Sequence, residues 1–384
     1  MQKDKIKVMS VFGTRPEATK MCPVVKALEN DDSFESLVCV SAQHRSMLDE
    51  VLKIFGIKPD YDLNIMKEGQ SLEYITTGAL NGLCAVLDSA KPDMLLVHGD
   101  TTTTFASSLA AFYRGVKLGH VEAGLRTWNK LQPYPEEMNR KLTSSLADVH
   151  FAPTPLAKEN LLKEAVNPES IFITGNTAVD CVKNSFKEGY VFKRDILNNI
   201  DFHNKKIITV TAHRRENLGA PLENICRALL DIAKQNEDVA VVYPVHPNPS
   251  VKNIVYNMLY GAKGIYITEA LDFVDLHNLM ARSYMVLTDS GGIQEEAPTF
   301  NKPVLVLREV TERPEGLSAG TLKLAGCERG VIVESTNELL RNKAEYHRMA
   351  AAKNPFGDGF ASKRIVEVIK HCFKITGKRP EDFI

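Results

Sequence analysis

The chain has 384 residues, 44% of them hydrophobic and 25% charged. At roughly 100–200 residues per domain this length holds two domains or three, and the apolar content excludes disorder as the dominant state. Lys plus Arg total 47 against 48 for Asp plus Glu, a net charge of -1, which excludes a non-specific nucleic-acid binder because that needs a basic excess.

In chain order, short apolar runs alternate with amphipathic stretches. The runs Ile6–Val11, Leu37–Ser41, Met94–Val97, Lys117–Val121, Val149–Ala152 and Ile171–Thr174 have the length and β-branched content of buried strands. Between them Phe105–Arg114 is closed by Gly115 and Glu136–Ala147 is opened by Pro135, the usual punctuation of helices. The alternation pauses over residues 186–206, which are polar and charged. It restarts with Ile207–Thr211, Val239–Tyr243, Ile265–Thr268, Met285–Thr288, Val304–Leu307 and Val331–Val333. Ala361–Phe373 reads as a last amphipathic helix.

Strands separated by helices of this length predict parallel βαβ units. The reading is an α/β protein of two Rossmann-like, doubly wound domains facing a central cleft. The first covers residues 1–180 and the second 181–360. The N-terminal MQKDKIK carries no targeting signal, and no run reaches the ~20 apolar residues of a membrane span. Seven cysteines stand singly with no C-x-x-C pair, as free thiols in a reducing compartment do. The expected location is the cytoplasm, with no membrane attachment.

Ligands of open parallel sheets bind beyond the carboxyl ends of the strands, so the residues after each run are the candidates. Gly13-Thr14-Arg15-Pro16-Glu17 follows the first, with Lys20 close behind. No G-x-G-x-x-G and no P-loop occurs, so nicotinamide and ATP lose their main support. Two cations at a helix start fit an anion site, and equally a solvated helix end. Asp289-Ser290-Gly291-Gly292 is the sharper signal. Its glycines let backbone N–H groups approach a diphosphate, and Glu295 and Glu296 lie where a carboxylate meets ribose hydroxyls. A capped helix with acidic residues at its positive end is the plain alternative.

Asp100, Glu122 and Glu136 come from three loops on one rim. Carboxylates act as general acid and base when their surroundings separate their pKa values, although Asp100 also suits a helix cap. His213, beside Arg214 and Arg215, suits an anion contact, acid–base work or a structural place. Trp128 and Tyr134 read as anchors of their loop, with a sugar-stacking surface as the alternative. No persuasive metal-ligand spacing and no G-x-S-x-G is present. The residues describe an enzyme that binds a nucleotide diphosphate and works on what it carries.

The blocks FGTRPEATKM, VHGDTTTT, GHVEAGLRT, PEEMNR, ITGNT, HRREN, YPVH, LTDSGGIQEEAP, KPVLVLRE and TERPEG run in order from residue 12 to 316. Together with AGTLKLAG and NPFGDG they strongly resemble the non-hydrolysing UDP-N-acetylglucosamine 2-epimerases. The resemblance implies a glycosyltransferase-B-like fold whose C-terminal helix, about 361–384, packs back on the first domain. It implies a homodimer that interconverts UDP-GlcNAc and UDP-ManNAc with no cofactor and no metal. The implied route is anti elimination of UDP to 2-acetamidoglucal and re-addition, supplying bacterial surface polysaccharide.

Carried over position by position, the resemblance implies that Arg15, His213 and Ser290 contact the diphosphate, with Gly291 and Gly292 in the same helix start. Glu296 would hold the ribose and Leu276 would lie by the uracil. Asp100, Glu122 and Glu136, with His213, would be the catalytic groups, Lys20 and Arg140 their support, and Arg313 a neighbour. Many bacterial members are activated by a second UDP-GlcNAc. The positions for it here are Gln43, His44, Gln70 and His246, but Ser46 and Gly69 replace a Gln and an Arg found in some members, which leaves activation open. Leu276 stands where Phe is common, LQPYPEE replaces YSPYPEE, and Cys327 replaces a frequent Thr. A rim built of carboxylates favours an epimerase over a glycosyltransferase of the same fold, which needs an acceptor groove. The hydrolysing relative differs only in letting water reach the glycal, and a non-catalytic sugar binder is usually exported.

Overall fold

The computed structural model describes residues 5–384. The reading of Met1–Asp4 as free of a targeting signal lies outside the described residues. The chain forms two compact units, one running to Cys181 and including Phe356–Ile384, the other Val182–Pro355.

The first unit holds a sheet of β1 (Ile6–Phe12), β2 (Phe34–Val40), β3 (Tyr61–Asp62), β4 (Met94–His98), β5 (Lys117–Val121), β6 (Val149–Ala152) and β7 (Ile171–Ile173). Their order is β3-β2-β1-β4-β5-β6-β7, and every pairing is parallel. Helices cover both faces, which is why β4 is buried along its whole length and reads as an unbroken apolar run. Met9, Val11, Leu95 and Val97 pack there with Leu83, Leu87 and Ala110 of the covering helices.

The second unit holds β8 (Lys206–Thr211), β9 (Val239–Val245), β10 (Ile265–Glu269), β11 (Met285–Thr288), β12 (Val304–Val306) and β13 (Leu322–Leu324). It is also parallel throughout, in the order β10-β9-β8-β11-β12-β13. Its core joins Val210, Val241, Tyr243, Leu287 and Leu305 to Ile225, Leu229 and Ile332.

Val331–Val333, expected as a strand, lies inside the helix Arg329–Arg341. Ile332, Ser335, Thr336 and Leu339 are buried there while Val331 is exposed, a helical period that outweighs three β-branched residues in a row. The last strand is instead Leu322–Leu324, too short and too interrupted by Lys323 to show as an apolar run. The pause over 186–206 is not all solvated. Phe192, Leu197 and Ile200 are buried against Ile207 and Val242.

The helix Ala361–Cys372 packs against Arg15–Glu29 within the first unit. Asp180 closes its start, accepting the backbone N–H groups of Ser362 at 2.8 Å and Ala361 at 3.1 Å. Lys370 pairs with Asp31 at 2.5 Å. Among the described residues no helix is long and apolar enough to cross a membrane.

In each sheet the strand order reverses at one place, between β1 and β4 in the first and between β8 and β11 in the second. Loops that diverge from such a point leave a crevice at the strand ends. Gly13 and Gly99 leave β1 and β4; Ala212 and Asp289 leave β8 and β11.

Candidate active site

At the reversal of the first sheet, Lys20 on the helix after β1 donates to Glu122 Oε2 just after β5. Asn176 Nδ2 donates to the same oxygen at 2.9 Å. Glu122 has φ 62°, a left-handed conformation costly for a residue with a Cβ and typical of functional positions. His98, at the end of β4, places Nε2 3.8 Å from Glu122 Oε2. Burial pushes its imidazole down to about 4, against the pull of Glu122, so the ring is neutral.

Asp100 receives a guanidinium nitrogen of Arg140, whose other terminal nitrogen reaches Glu137 Oε2 at 3.3 Å. Burial pushes the Asp100 carboxyl up; Glu122 and Glu136 push the same way, and Arg140 opposes them. Two of the carboxylates singled out from sequence, Glu122 and Glu136, therefore both act on the third, Asp100. Asp100 does not cap the following helix. Thr101 does so, its Oγ1 accepting the Thr104 N–H at 3.1 Å, which leaves the Asp100 side chain for other work. Arg15 is exposed at its helix start and, among the described residues, forms no ion pair.

Glu17 and Glu137 were not singled out, yet both are buried centres of this rim. Glu17 Oε2 accepts from the N–H groups of Gly13 at 3.1 Å and Thr14 at 2.8 Å. Its Oε1 accepts from the Thr101 hydroxyl at 2.8 Å and the Thr104 hydroxyl at 3.1 Å. It thus ties the loop after β1 to the loop after β4. The Thr14-x-x-Glu17 capping box was the sequence signal for it. Glu137 receives the N–H groups of Thr127 and Trp128, each at 3.0 Å. That pair anchors the loop; the Trp128 ring is 51% exposed with Lys141 Nζ 5.2 Å from its centroid, and Tyr134 is 65% exposed.

At the reversal of the second sheet, Asp289 Oδ2 accepts from the backbone N–H groups of His213 and Arg214, both at 2.7 Å, and from Asn217 Nδ2 at 3.0 Å. The His213 ring stacks on His246 with centroids 4.8 Å apart. Burial lowers its proton affinity, Asp289 raises it, and His246 and Arg214 lower it further. Ser290 begins the helix Gly291–Glu296 with no side-chain cap, so its hydroxyl is not spent on the helix. A Cβ on Gly291 would lie 3.6 Å from a guanidinium nitrogen of both Arg214 and Arg313. Two guanidinium groups thus flank a bare stretch of backbone at a helix start, the chemistry of an anion site.

Glu296 faces His277 Nε2 at 3.3 Å, and Leu276 packs beside Met280 and Ile293. Glu295, named with Glu296 for the ribose, is buried instead and bound by Arg313. Among the described residues no group of three His, Cys, Asp or Glu side chains is placed to hold a metal ion.

The model of the UDP-N-acetylglucosamine 2-epimerase family matches residues 26–370. The chain belongs to that family. It is 52% identical to the UDP-N-acetylglucosamine 2-epimerase of Bacillus subtilis (strain 168), covering 99% of each chain. A structure of S. aureus MnaA with UDP is 50% identical with a TM-score of 0.89, over 99% of this chain and 100% of that one. A UDP-GlcNAc 2-epimerase from Neisseria meningitidis bound to UDP-GlcNAc is 48% identical with a TM-score of 0.85, over 95% of this chain and 99% of that one.

In this 2-epimerase family member, three of the four positions assigned to regulation lie together by Gly13. Thr103 donates to Gln43 Oε1 at 3.0 Å, Gln70 donates to the Gln43 carbonyl at 3.0 Å, and His44 N–H reaches the Gly13 carbonyl at 3.1 Å. His246 belongs to the second unit and stacks on His213.

Proposed function

We propose that this protein catalyses the reversible, non-hydrolytic epimerisation of UDP-GlcNAc to UDP-ManNAc at C2. The observation that supports this reading most is the action of Glu122 and Glu136 on the buried Asp100, with the Lys20 ammonium on Glu122. The C2 proton is weakly acidic because its carbon bears an amide nitrogen and no carbonyl. Expulsion of UDP from C1 develops oxocarbenium character that acidifies C2. Anti elimination then gives 2-acetamidoglucal and UDP, and reprotonation on the opposite face with re-addition of UDP gives the epimer.

Both faces of C2 need a proton-transfer group, which is why one carboxylate does not suffice. Asp100, pushed up, is the group suited to carry a proton, and Glu122 and Glu136 are its partners in the transfer. Arg140 and Lys20 support them. In the second unit His213, Ser290, Arg313 and the Gly291-Gly292 backbone hold the departing diphosphate, which spreads negative charge as it leaves. Arg15 joins them in this role. Glu296 holds the ribose and Leu276 borders the uracil. The working form is a cytoplasmic homodimer, and its product supplies surface polysaccharide.

The route is tested with UDP-GlcNAc carrying ¹⁸O in the bridge between C1 and the β-phosphorus. Expulsion of UDP frees that oxygen to rotate into non-bridging positions before re-addition. Scrambling of the label in recovered UDP-GlcNAc supports elimination and re-addition. Retention of the label in the bridge while UDP-ManNAc accumulates contradicts it.

A further inference from the structure

Asp289 meets His213 with both carboxylate oxygens, and the two oxygens are in different states. Oδ2 is filled by three N–H donors. Oδ1 is as buried and has no hydrogen-bond partner. It lies 3.6 Å from His213 Nδ1, too far for a hydrogen bond and about half an ångström from making one. A buried carboxylate oxygen without a donor is unfavourable, so a small slide of the ring toward it is favoured.

The stacked neighbour is fixed. His246 Nδ1 accepts the Asn248 N–H at 3.2 Å. Two stacked imidazolium rings would repel. The charged and titratable groups acting on His213 are thus Asp289, which favours its proton, and His246 and Arg214, which with burial oppose it. Two negative phosphates arriving at this strand end reverse that balance.

We propose that Asp289 is the positioning residue of His213, so that binding of a nucleoside diphosphate makes His213 take up one proton from solvent. The ring then donates Nδ1–H to Asp289 Oδ1 and Nε2–H to the diphosphate, as an imidazolium. No substrate bond changes in this step, and the proton returns to solvent on release. The inference rests on the reading that His213 contacts the diphosphate and adds where its second proton is held. A neutral His213 donating from Nε2 would leave a bare Nδ1 lone pair against Oδ1, which the carboxylate disfavours.

The test is calorimetric titration of the full-length protein with UDP-GlcNAc near neutral pH, in buffers of different ionisation enthalpy. The slope of apparent heat against that enthalpy counts protons. Epimerisation consumes none, and the doubly esterified diphosphate does not titrate near neutrality. The wild type is expected to take up close to one proton per site. Asp289→Asn can keep its carbonyl oxygen under the three N–H donors while turning its amide N–H2 toward Nδ1. It is expected to bind with uptake near zero, as is His213→Gln, whereas His246→Gln keeps the uptake. Should Asp289→Asn not fold, the contrast between His213→Gln and His246→Gln decides. Binding of the wild type without uptake, or equal uptake in Asp289→Asn, overturns the inference alone. No binding by the wild type overturns the diphosphate reading with it.

Discussion

Lys20 and Glu122, 102 residues apart in sequence, form an ion pair in which the carboxylate belongs to a residue with left-handed backbone. The pair joins the helix after β1 to the loop after β5. The surroundings hold Glu122 in a conformation it would not choose alone. Glu122→Gln keeps the shape and an acceptor for Lys20 but removes the charge. Its kcat is expected to fall by roughly 10²–10⁴-fold, the usual contribution of an acid–base group, with far-ultraviolet dichroism unchanged. Asp100→Asn is expected to fall in the same range. A loss under about tenfold in both would remove them from the chemistry.

Gly13 has no room for a side chain. A Cβ there would lie 1.9 Å from Ser41 Oγ and 3.0 Å from Thr103 Oγ1. Those hydroxyls bond each other at 2.9 Å, and Thr103 also holds Gln43. Gly13→Ala is expected to lower unfolding free energy by about 1–3 kcal/mol, as overpacking does, and to impair turnover beyond that loss. Denaturant unfolding and steady-state rates on one preparation check both.

Asp180 is the buried acceptor for the start of the helix Ala361–Cys372. Asp180→Ala strands two N–H groups and is expected to cost about 1–3 kcal/mol of stability. Hydrogen exchange should then rise first in residues 361–372. Unchanged protection there would show that packing on Arg15–Glu29 alone holds the helix.

Stability should fall on mild acidification. Burial holds His98 down to about 4 and His120 down to about 3. An unfolded His titrates near ~6.5, so below that value the unfolded chain binds protons that the folded chain refuses. The stability is fully present above the unfolded value and is lost as pH drops toward the folded ones, by at most roughly 1.4 kcal/mol per pH unit for each ring. Thermal melts from neutral pH to about pH 5 should show a falling midpoint. His120→Gln, which keeps a donor for the Gly99 carbonyl that His120 bonds at 2.7 Å, should flatten the slope. A slope unchanged by the substitution would place the proton uptake elsewhere.

The fold was legible where burial on both faces makes a strand an unbroken apolar run, as in β4 to β6. It was not legible where length failed, as in β3 and β13, or where a run of Val and Ile belonged to a helix, as in Val331–Val333. At the candidate site, the strand-end rule pointed to Asp100, Glu122, His213 and Ser290 because chemistry at a strand end depends on local order. Glu17, Glu137 and Asp289 escaped or were read only as motif letters. Their work is to receive N–H and O–H groups from other loops, and a spacing in one segment does not show which distant donors will arrive. Asn176, 54 residues from the carboxylate it bonds, escaped for the same reason.

The most direct test of the central claim is proton NMR of the protein with UDP-GlcNAc in deuterated water. The account expects UDP-ManNAc to appear with deuterium at C2, because the proton leaves the sugar and another is delivered to the opposite face. UDP-ManNAc that keeps its original C2 proton, or free ManNAc released with UDP, would contradict it.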